Sequence, residues 1–359
     1  MEQLPGLCYR CNALGIDASV FEVDNHGLDR SPVEISSFAD LLQSAAACGL
    51  CQLFVDALWM DGGISVDKRP KSHYLDWVVT VKRFRVSRGM MLRDTYPEYM
   101  DGLLRPFRLC LTCHNPHADR LTLDSLPLES SLGLHWENAQ RSPLFHARLL
   151  NPIQIERSLA KRWLNICRDK HASCEPSTQC TVTFLRYYCH LRVIDLHKQR
   201  IIRMPRPCSY VALSYVWGTN ASIFLLTKMT VRDLEQDGAL ELVRNRIPQT
   251  ILDAMEISRD LGERYLWVDA LCIVQDDDYI RDRTIAQMNF VYQLATVTII
   301  AASAENATAG IEGLHPDTRS LPQYSFKISS TCHVVALGPE RLLSFRRHGN
   351  SVYRTRAWT

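Results

Sequence analysis

The stretch that decides the fold reads Tyr210-Val-Ala-Leu-Ser-Tyr-Val-Trp-Gly218. Its first five residues, Tyr210 to Ser214, form a short apolar run, which predicts a strand buried inside a sheet. The strand runs directly into the aromatic residues Tyr215 and Trp217 and then into Gly218. A buried strand closed by small, polar and aromatic side chains predicts a site at the end of that strand.

Two more strands of this kind follow, and a helix is predicted before each of them. One helix begins near Pro248 and ends at Gly262, and the strand Tyr265–Val268 comes next. A second helix covers about residues 280–295 and leads into the strand Thr296–Ala301. Strands that alternate with helices predict parallel neighbours, because parallel strands need crossover connections. We therefore expect an α/β fold with a parallel sheet flanked by helices.

Ligands of open parallel sheets bind beyond the carboxyl ends of the strands. Asp269 and Glu305 follow two of these ends and are the candidate catalytic residues. Each of these residues also has a structural interpretation. Asp269 is either a clamp bonded to turn amides or a group poised for chemistry. Trp217 is either a core residue or a platform on which a ligand stacks, and Cys272 is also typical of a small core residue. The candidate ligand-binding residues at the same ends are Ser214, Tyr215, Trp217, Gly218, Cys272 and Asn306.

Composition argues against several classes of protein. A net charge of +2 over 359 residues gives no general attraction to nucleic acid or to membrane surfaces. No apolar run approaches the ~20 residues of a membrane span, and no secretory signal opens the chain, so we expect a cytoplasmic protein. The chain also lacks the glycine motifs that cradle phosphates, the nucleophile elbow of serine hydrolases and the HExxH motif of metalloproteases.

Thirteen cysteines in a chain of this kind favour thiols and metal ligation over disulfides. Two CxxC pairs stand out, Cys8 with Cys11 and Cys48 with Cys51, and Ser37 with Asp40 predicts a helix start ahead of the second pair. Each pair directs two thiolates at one point, and two pairs together make a tetrahedral set for structural zinc. The alternative interpretation is four reduced cysteines in a small core.

Two further cysteine groups have the same two interpretations. Cys167, His171 and Cys174 follow a predicted helix at spacings that stack them on one face if the helix continues. They either hold zinc or pack a helix end. Cys110 and Cys113 lie on a predicted strand, where residues three apart point to opposite faces, and this favours core packing over metal binding.

The order of these features predicts three parts. Residues 1–145 form a Cys-rich α+β region that ends in a polar stretch, 114–145, typical of a long loop. Residues 146–206 form a connector with a helix, the Cys/His segment and a hairpin with strands at Leu191–Leu196 and Arg200–Met204. The α/β domain then covers residues 207–359.

The signature residues resemble those of a known family. Ser214-Tyr-Val-Trp-Gly218 resembles the SYxWG signature of the fungal heterokaryon-incompatibility (HET) domain. Trp267-Val-Asp-Ala-Leu-Cys-Ile-Val-Gln-Asp276 resembles its W(I/V)DxLCIxQ block, and residues 288–310 are similar to its third block. Arg356-Ala-Trp-Thr359 is similar to the start of a later R(G/A)W(T/V)xQE block. The Gln-Glu of that block is missing, which predicts a shortened or truncated member.

The resemblance implies a fold and a role. HET domains trigger regulated cell death in fungal non-self recognition, and they are distantly similar to TIR domains, which have a flavodoxin-like fold. Some TIR domains cleave NAD and others assemble signalling complexes. The resemblance therefore implies either self-association or contact with other proteins of the incompatibility pathway, or an NAD glycohydrolase with NAD as substrate. A third alternative is a degenerate, inactive protein.

Overall fold

A computed structural model describes residues 6–22, 31–59, 71–85, 107–117, 128–137, 147–170, 191–205, 208–218, 223–319 and 323–338. These residues fall into two units. The first, here called the N-terminal unit, contains the described residues up to Pro152 together with 323–338. The second, here called the central unit, contains the described residues from Ile153 to 319.

The strands of both units are given in chain order. They are β1 (Val33–Ser37), β2 (Val78–Arg85), β3 (Phe107–His114), β4 (Leu128–Trp136), β5 (Arg192–Asp195), β6 (Arg200–Arg203), β7 (Val211–Ser214), β8 (Tyr265–Trp267), β9 (Val297–Ile300), β10 (Ser325–Lys327) and β11 (Cys332–Gly338).

The α-helices are α1 (Tyr9–Ala13), α2 (Ser19–Glu22), α3 (Phe38–Ala45), α4 (Gly49–Trp59), α5 (Arg157–Lys170), α6 (Val231–Leu234), α7 (Ala239–Leu242), α8 (Gln249–Leu261), α9 (Asp269–Cys272), α10 (Asp278–Ile285) and α11 (Met288–Gln293). Short 3₁₀ helices lie at Lys71–Tyr74 and Arg244–Arg246. Within the described part of the chain, no helix combines the length and the apolar character that a bilayer crossing requires.

The N-terminal unit is built on an antiparallel sheet in the order β1-β2-β3-β4-β11-β10. Its last two strands come from residues 325–338, which follow the central unit in the chain. The predicted divisions at residues 145 and 206 therefore differ from the units of the structure. The difference arises because a hairpin distant in sequence supplies the strand next to β4, and no local pattern identifies that partner.

The central unit contains a mixed sheet in the order β6-β5-β8-β7-β9. The three predicted strands β8, β7 and β9 are neighbours and parallel, as the alternation of strands and helices predicted. The hairpin β5–β6 adds to the edge of β8 in the antiparallel direction. The expectation of a wholly parallel sheet is therefore corrected to a parallel centre with an antiparallel edge.

A buried carboxylate holds that hairpin in place. The side chain of Asp195 has no solvent exposure, accepts two hydrogen bonds from Arg264 at 3.0 and 2.7 Å, and accepts from the amides of His197 and Lys198. Burial opposes ionisation, but Arg264 and the two amides outweigh it and lower the pKa of Asp195. The charge of Asp195 thus fixes the β5–β6 turn against the residue before β8.

Two predicted elements need correction. The polar stretch 114–145, predicted as a loop, contains β4, whose Ser130 and Ser131 are buried in the sheet. Its serines and Gly133 hide the strand pattern in the sequence. The helix predicted over 280–295 is two helices, α10 and α11, and α10 begins earlier because the Asp277 side chain accepts from the amide of Ile280 at 3.2 Å.

Other local predictions are confirmed. Ser37 caps α3 by accepting from the amide of Asp40 at 3.1 Å. Helix α8 stops at Gly262, which has a φ of 87° in the left-handed region that favours glycine. The hairpin β5–β6 lies where its two apolar runs predicted it.

Candidate functional site

The end of β7 lies between the ends of β8 and β9, as the parallel order requires. Ser214 pairs with Ile300 across to β9, and its carbonyl accepts from the amide of Ala301 at 3.0 Å. Ser214 and Tyr215 are both buried, whereas Trp217 is half-buried and Gly218 is exposed. The strand therefore passes from the core to the surface within four residues.

The indole of Trp217 joins the two signature segments. Its Nε1 donates a hydrogen bond to Oδ2 of Asp269 at 2.9 Å. The other carboxylate oxygen of Asp269, Oδ1, accepts from the amide of Ala270 at 2.7 Å. The half-buried carboxylate of Asp269 thus holds the loop after β7 against the loop after β8, which is the clamp that the sequence left open as one alternative.

The same carboxylate also affects the pKa of the Tyr215 phenol. Burial, and after it the charge of Asp269, raise the pKa of Tyr215 well above its ordinary value. The phenol therefore keeps its proton at neutral pH. A protonated tyrosine and an indole N–H consequently lie beside a single carboxylate at the carboxyl end of the sheet.

The third strand brings Asn306 to this edge. Gly218 has a φ of 83°, and a Cβ on it would lie 2.7 Å from the Cβ of Asn306. The Trp217 carbonyl accepts from the amide of Ala307 at 3.4 Å. Asn306 itself is held in a turn, since its Oδ1 accepts from the amide and the hydroxyl of Thr308. A glycine is therefore needed at 218 for both its backbone angle and this close approach.

A buried aspartate that the sequence did not single out fixes the loop after Asn306. Asp253, on α8, is 1% exposed, and its Oδ2 accepts from the amide of Ile311 at 2.6 Å. Its Oδ1 accepts from Gln249 at 2.6 Å and lies 3.0 Å from Nε2 of His315. No signal in the sequence marks Asp253, because two of its partners, Ile311 and His315, lie about sixty residues away in the chain.

Gln275, the last residue of the second signature block, braces the turn that carries Asp269. Its side chain donates to the carbonyls of Asp269 at 2.9 Å and Ile273 at 3.2 Å. Its own amide donates to the carbonyl of Leu226 at 2.9 Å. The block therefore supplies both the carboxylate and the side chain that holds its backbone.

Two of the predicted site residues stand apart from this group. Cys272 is 3% exposed, accepts from the amide of Val268 at 3.3 Å, and has a pKa raised by burial to about 12. Its thiol is packed under the turn, which favours the core interpretation. Glu305 is exposed in the loop after β9, next to Asn306.

A second candidate site lies in the N-terminal unit. The four predicted cysteines, Cys8, Cys11, Cys48 and Cys51, come together with all their sulfur atoms within 4.8 Å of one another. Cys8 and Cys11 come from the start of α1, and Cys48 and Cys51 from the turn that opens α4. Three of the four are buried and Cys8 is half-buried. The four form the one such group among the described residues.

The spacing of the sulfur atoms fits a tetrahedral metal. Sγ of Cys51 lies 3.3 Å from Sγ of Cys11 and 3.6 Å from Sγ of Cys8. Four thiolates at the usual Zn–S distance of about 2.3 Å would lie about 3.8 Å apart. Hydrogen bonding to the Cys11 thiol, opposed by burial, lowers the pKa of Cys51 to about 6, which provides the first thiolate. The donor set is the all-sulfur set that zinc prefers.

The other cysteine predictions have different outcomes. Cys167 is half-buried near the end of α5, and His171 and Cys174 lie outside the described residues. Cys110 and Cys113 are on β3, where Cys113 is buried and Cys110 is half-buried on the other face. Burial raises the pKa of Cys113 to about 12. The two thiols lie on opposite faces of β3, as their spacing on a strand predicted.

The structure thus describes an α/β protein with two sites. The central unit carries the signature residues at one edge of its sheet, and the N-terminal unit carries a cluster of four cysteines. Residues 210–359 match the family model described as heterokaryon incompatibility protein (HET). This part of the chain is therefore similar to the heterokaryon-incompatibility domain, as the resemblance predicted. No curated protein and no solved structure matched the chain.

Proposed function

We propose that this protein acts in heterokaryon incompatibility, where its HET domain triggers regulated cell death by assembling with itself or with other proteins of that pathway. The family match over residues 210–359 carries the proposal. It acts in the cytoplasm, consistent with a composition that favours thiols over disulfides.

The use of the signature residues favours assembly over chemistry. Both carboxylate oxygens of Asp269 accept hydrogen bonds, from Trp217 and from the amide of Ala270. Gly218 and Asn306 pack against each other. A group of this kind fixes the shape of three loops at one edge, and a fixed shape is what a protein partner recognises.

The central unit also exposes apolar side chains that a partner could cover. Met229 is 88% exposed and Leu242 is 86% exposed, before α6 and at the end of α7 respectively. Burial of such side chains is favourable in an interface. We propose that they contribute to the assembly surface.

The double variant Met229→Ser and Leu242→Ser tests this surface. We expect it to weaken assembly by about tenfold, equivalent to about 1.4 kcal/mol, because two exposed apolar side chains no longer gain from burial. The measurements are growth of a fungal host that expresses the protein, and self-association of the purified chain by analytical ultracentrifugation. Asp269→Asn is the matched comparison: Asn keeps an acceptor for Trp217, and we expect killing to persist.

Killing that survives the double variant would contradict the assembly surface. A wild-type chain that expresses well without affecting growth would instead favour the degenerate, inactive alternative.

One observation favours a second candidate function, NAD glycohydrolysis in a TIR-like site. The carboxylate of Asp269 lies beside Trp217 and near Tyr215 at the carboxyl ends of parallel strands, where ligands of such sheets bind. The order of the three parallel strands, β8-β7-β9, supports this hypothesis, because it matches the first three strands of the flavodoxin-like order. In this hypothesis Asp269, with Glu305 as an alternative, stabilises the positive charge that develops on the ribose as nicotinamide leaves. Trp217 or Tyr215 stacks on a ring of NAD.

Nicotinamide release from NAD by the purified chain tests the second function. If Asp269 stabilises the transition state, Asp269→Asn should lower kcat by about a hundredfold or more, because its neutral side chain cannot match the developing charge. Glu305→Gln is the matched substitution at the exposed carboxylate. No release above that of Asp269→Asn would contradict the hydrolase and leave assembly.

We further propose that Cys8, Cys11, Cys48 and Cys51 hold a structural zinc ion. The closeness of the four sulfur atoms supports this. The ion would supply no chemistry; when bound, it would fasten α1 to α4. The chain's own residues contribute the remaining order, since Arg10 of α1 forms an ion pair with Asp40 of α3 at 3.3 Å.

A further inference from the structure

The hairpin β10–β11 completes the core of the N-terminal unit although it is distant in sequence. Strand β11 pairs with β4 from Cys332 opposite Trp136 to Gly338 opposite Ser131. Val334 and Val335 are fully buried, and Cys332 is 1% exposed. The hairpin is therefore a core element of this unit.

The hairpin packs directly against the turn that contains Cys48 and Cys51, here called the cysteine turn. Gly49 lies between Cys48 and Cys51, and a Cβ on it would lie 2.5 Å from Cε2 and 2.7 Å from Cδ2 of Phe326. Real Cβ atoms do not approach ring carbons so closely. The aromatic ring of β10 thus rests on the bare backbone of the turn that carries two of the four candidate ligands.

Both elements also share one hydrophobic core. Cys48 and Cys51 belong to the same buried cluster as Ile328, Cys332 and Val334 of the hairpin. A shift of the cysteine turn therefore changes the packing of the hairpin, because close-packed interiors transmit such displacements.

Residues at the end of β4 also hold the hairpin. Oε1 of Glu137 accepts from Lys327 at 2.9 Å and lies 2.8 Å from Nε2 of His333. The amide of Glu137 donates to the carbonyl of Thr331 at 3.0 Å. The hairpin consequently has two attachments, a polar one at the end of β4 and an apolar one at the cysteine turn.

We propose that the Cys48–Cys51 turn and the edge of β4 form an acceptor site for residues 325–338 of this chain, and that metal at the cysteine cluster sets how firmly the hairpin is bound there. The inference rests on the proposed structural zinc. A metal held by Cys48 and Cys51 fixes the turn in the shape on which Phe326 packs. Without the metal the turn can change its conformation, and this alters the surface on which Phe326 packs.

Linkage makes the coupling reciprocal. If bound zinc tightens the hairpin by some factor, then a firmly docked hairpin raises the affinity for zinc by the same factor. A substitution that disturbs the packing of Phe326 on the cysteine turn, and leaves all four cysteines in place, should therefore lower the affinity for zinc. This consequence separates the proposal from a purely local role of the four cysteines.

Gly49→Ala in the full chain is the test, because its methyl group would press against the Phe326 ring. We expect about tenfold weaker zinc binding, measured by competition with a chromogenic chelator, as for disturbed groups behind metal ligands. We expect a similar increase in amide hydrogen exchange across 325–338, measured by mass spectrometry. Chelation of zinc from the wild-type chain should raise exchange in the same segment.

Two further variants keep the test interpretable. Adding Phe326→Ala to Gly49→Ala removes the ring that the methyl group meets, and should restore much of the zinc affinity. Gln52→Ala, at an exposed position of α4, is the matched control and should bind zinc as the wild type does. Amides of β7 in the central unit provide the internal reference for exchange.

Three outcomes would overturn the proposal. The first is a Gly49→Ala chain with unchanged zinc affinity and unchanged exchange over the hairpin. The second is loss of protection throughout β2 and β3 as well, without recovery in the double variant, which indicates general unfolding. The third is a wild-type chain that binds no zinc. None of these outcomes bears on assembly or killing, so the test is independent of the proposed signalling role.

Discussion

Replacing Cys51 with serine is expected to abolish zinc binding and to destabilise the N-terminal unit by about 4 kcal/mol or more, the range for loss of a structural metal site. Sγ of Cys51 lies 3.6 Å from that of Cys8 and 3.3 Å from that of Cys11, and hydrogen bonding to the Cys11 thiol lowers the pKa of Cys51, which favours its thiolate. A serine hydroxyl is a poor ligand for zinc. The buried remaining thiols would then share a site without the ion that joins them.

Elemental analysis of the purified chain checks the first half of this prediction, with about one zinc expected per wild-type chain. Hydrogen exchange of β2 and β3 checks the second half. A global unfolding curve is less suitable, because two units need not unfold in a single transition. Cys110→Ser is the matched control, since Cys110 is half-buried on β3 and lies outside the cluster. If Cys51→Ser retains zinc and wild-type protection, the cluster is a core of reduced cysteines.

Replacing Asp253 with alanine is expected to destabilise the central unit by about 3 kcal/mol, the range for removing one partner of a buried polar network. The carboxylate is 1% exposed and accepts from the amide of Ile311, from Gln249 and from His315. Alanine would leave these donors without their acceptor and would open a small cavity. The loop that brings Asn306 against Gly218 would lose its anchor on α8.

Urea unfolding followed by hydrogen exchange of β7 and β9 measures this loss. Asp260→Ala is the control on the same helix: Asp260 is 33% exposed and forms an ion pair with Arg157 at 3.0 Å, so its removal should cost about 1 kcal/mol or less. Equal effects of the two substitutions would show that the loop does not depend on Asp253.

The expected loss at Asp253 also bears on function. If the shape of the sheet edge is what a partner recognises, Asp253→Ala should reduce killing more than Asp269→Asn does, because it frees a whole loop rather than one carboxylate. A hydrolase would show the opposite order. The two variants together therefore separate recognition by shape from chemistry at Asp269.

Local sequence patterns predicted the centre of the fold well. The apolar runs that form β7, β8 and β9 are short and are separated by segments long enough for a helix. Such segments indicate parallel strands, because parallel neighbours need crossover connections of that length. Gly262 and Ser37 marked helix ends because their conformations or side chains satisfy the last or first backbone groups. The two CxxC pairs predicted a four-sulfur cluster because each pair directs two thiols at one point.

Local sequence patterns did not predict three other features of the structure. Strand β4 carries buried serines and a glycine, so its sequence looked like a loop. The β5–β6 hairpin was predicted, but its antiparallel attachment to β8 depends on Asp195 and Arg264, which are far apart in the chain. Asp253 gave no signal because a buried carboxylate has meaning only once its donors are known.

The sequence by itself determined the short-range facts about this protein: the parallel strands, several helix ends, the residues that resemble the HET signature, and the closeness of the two cysteines within each CxxC turn. Tertiary structure decided which distant segments meet. It joined Trp217 to Asp269, and it placed Phe326 on Gly49 between two candidate zinc ligands. The physical reason is that backbone geometry is set by neighbouring residues, whereas burial and hydrogen-bond partners are set by chain segments that sequence spacing does not relate.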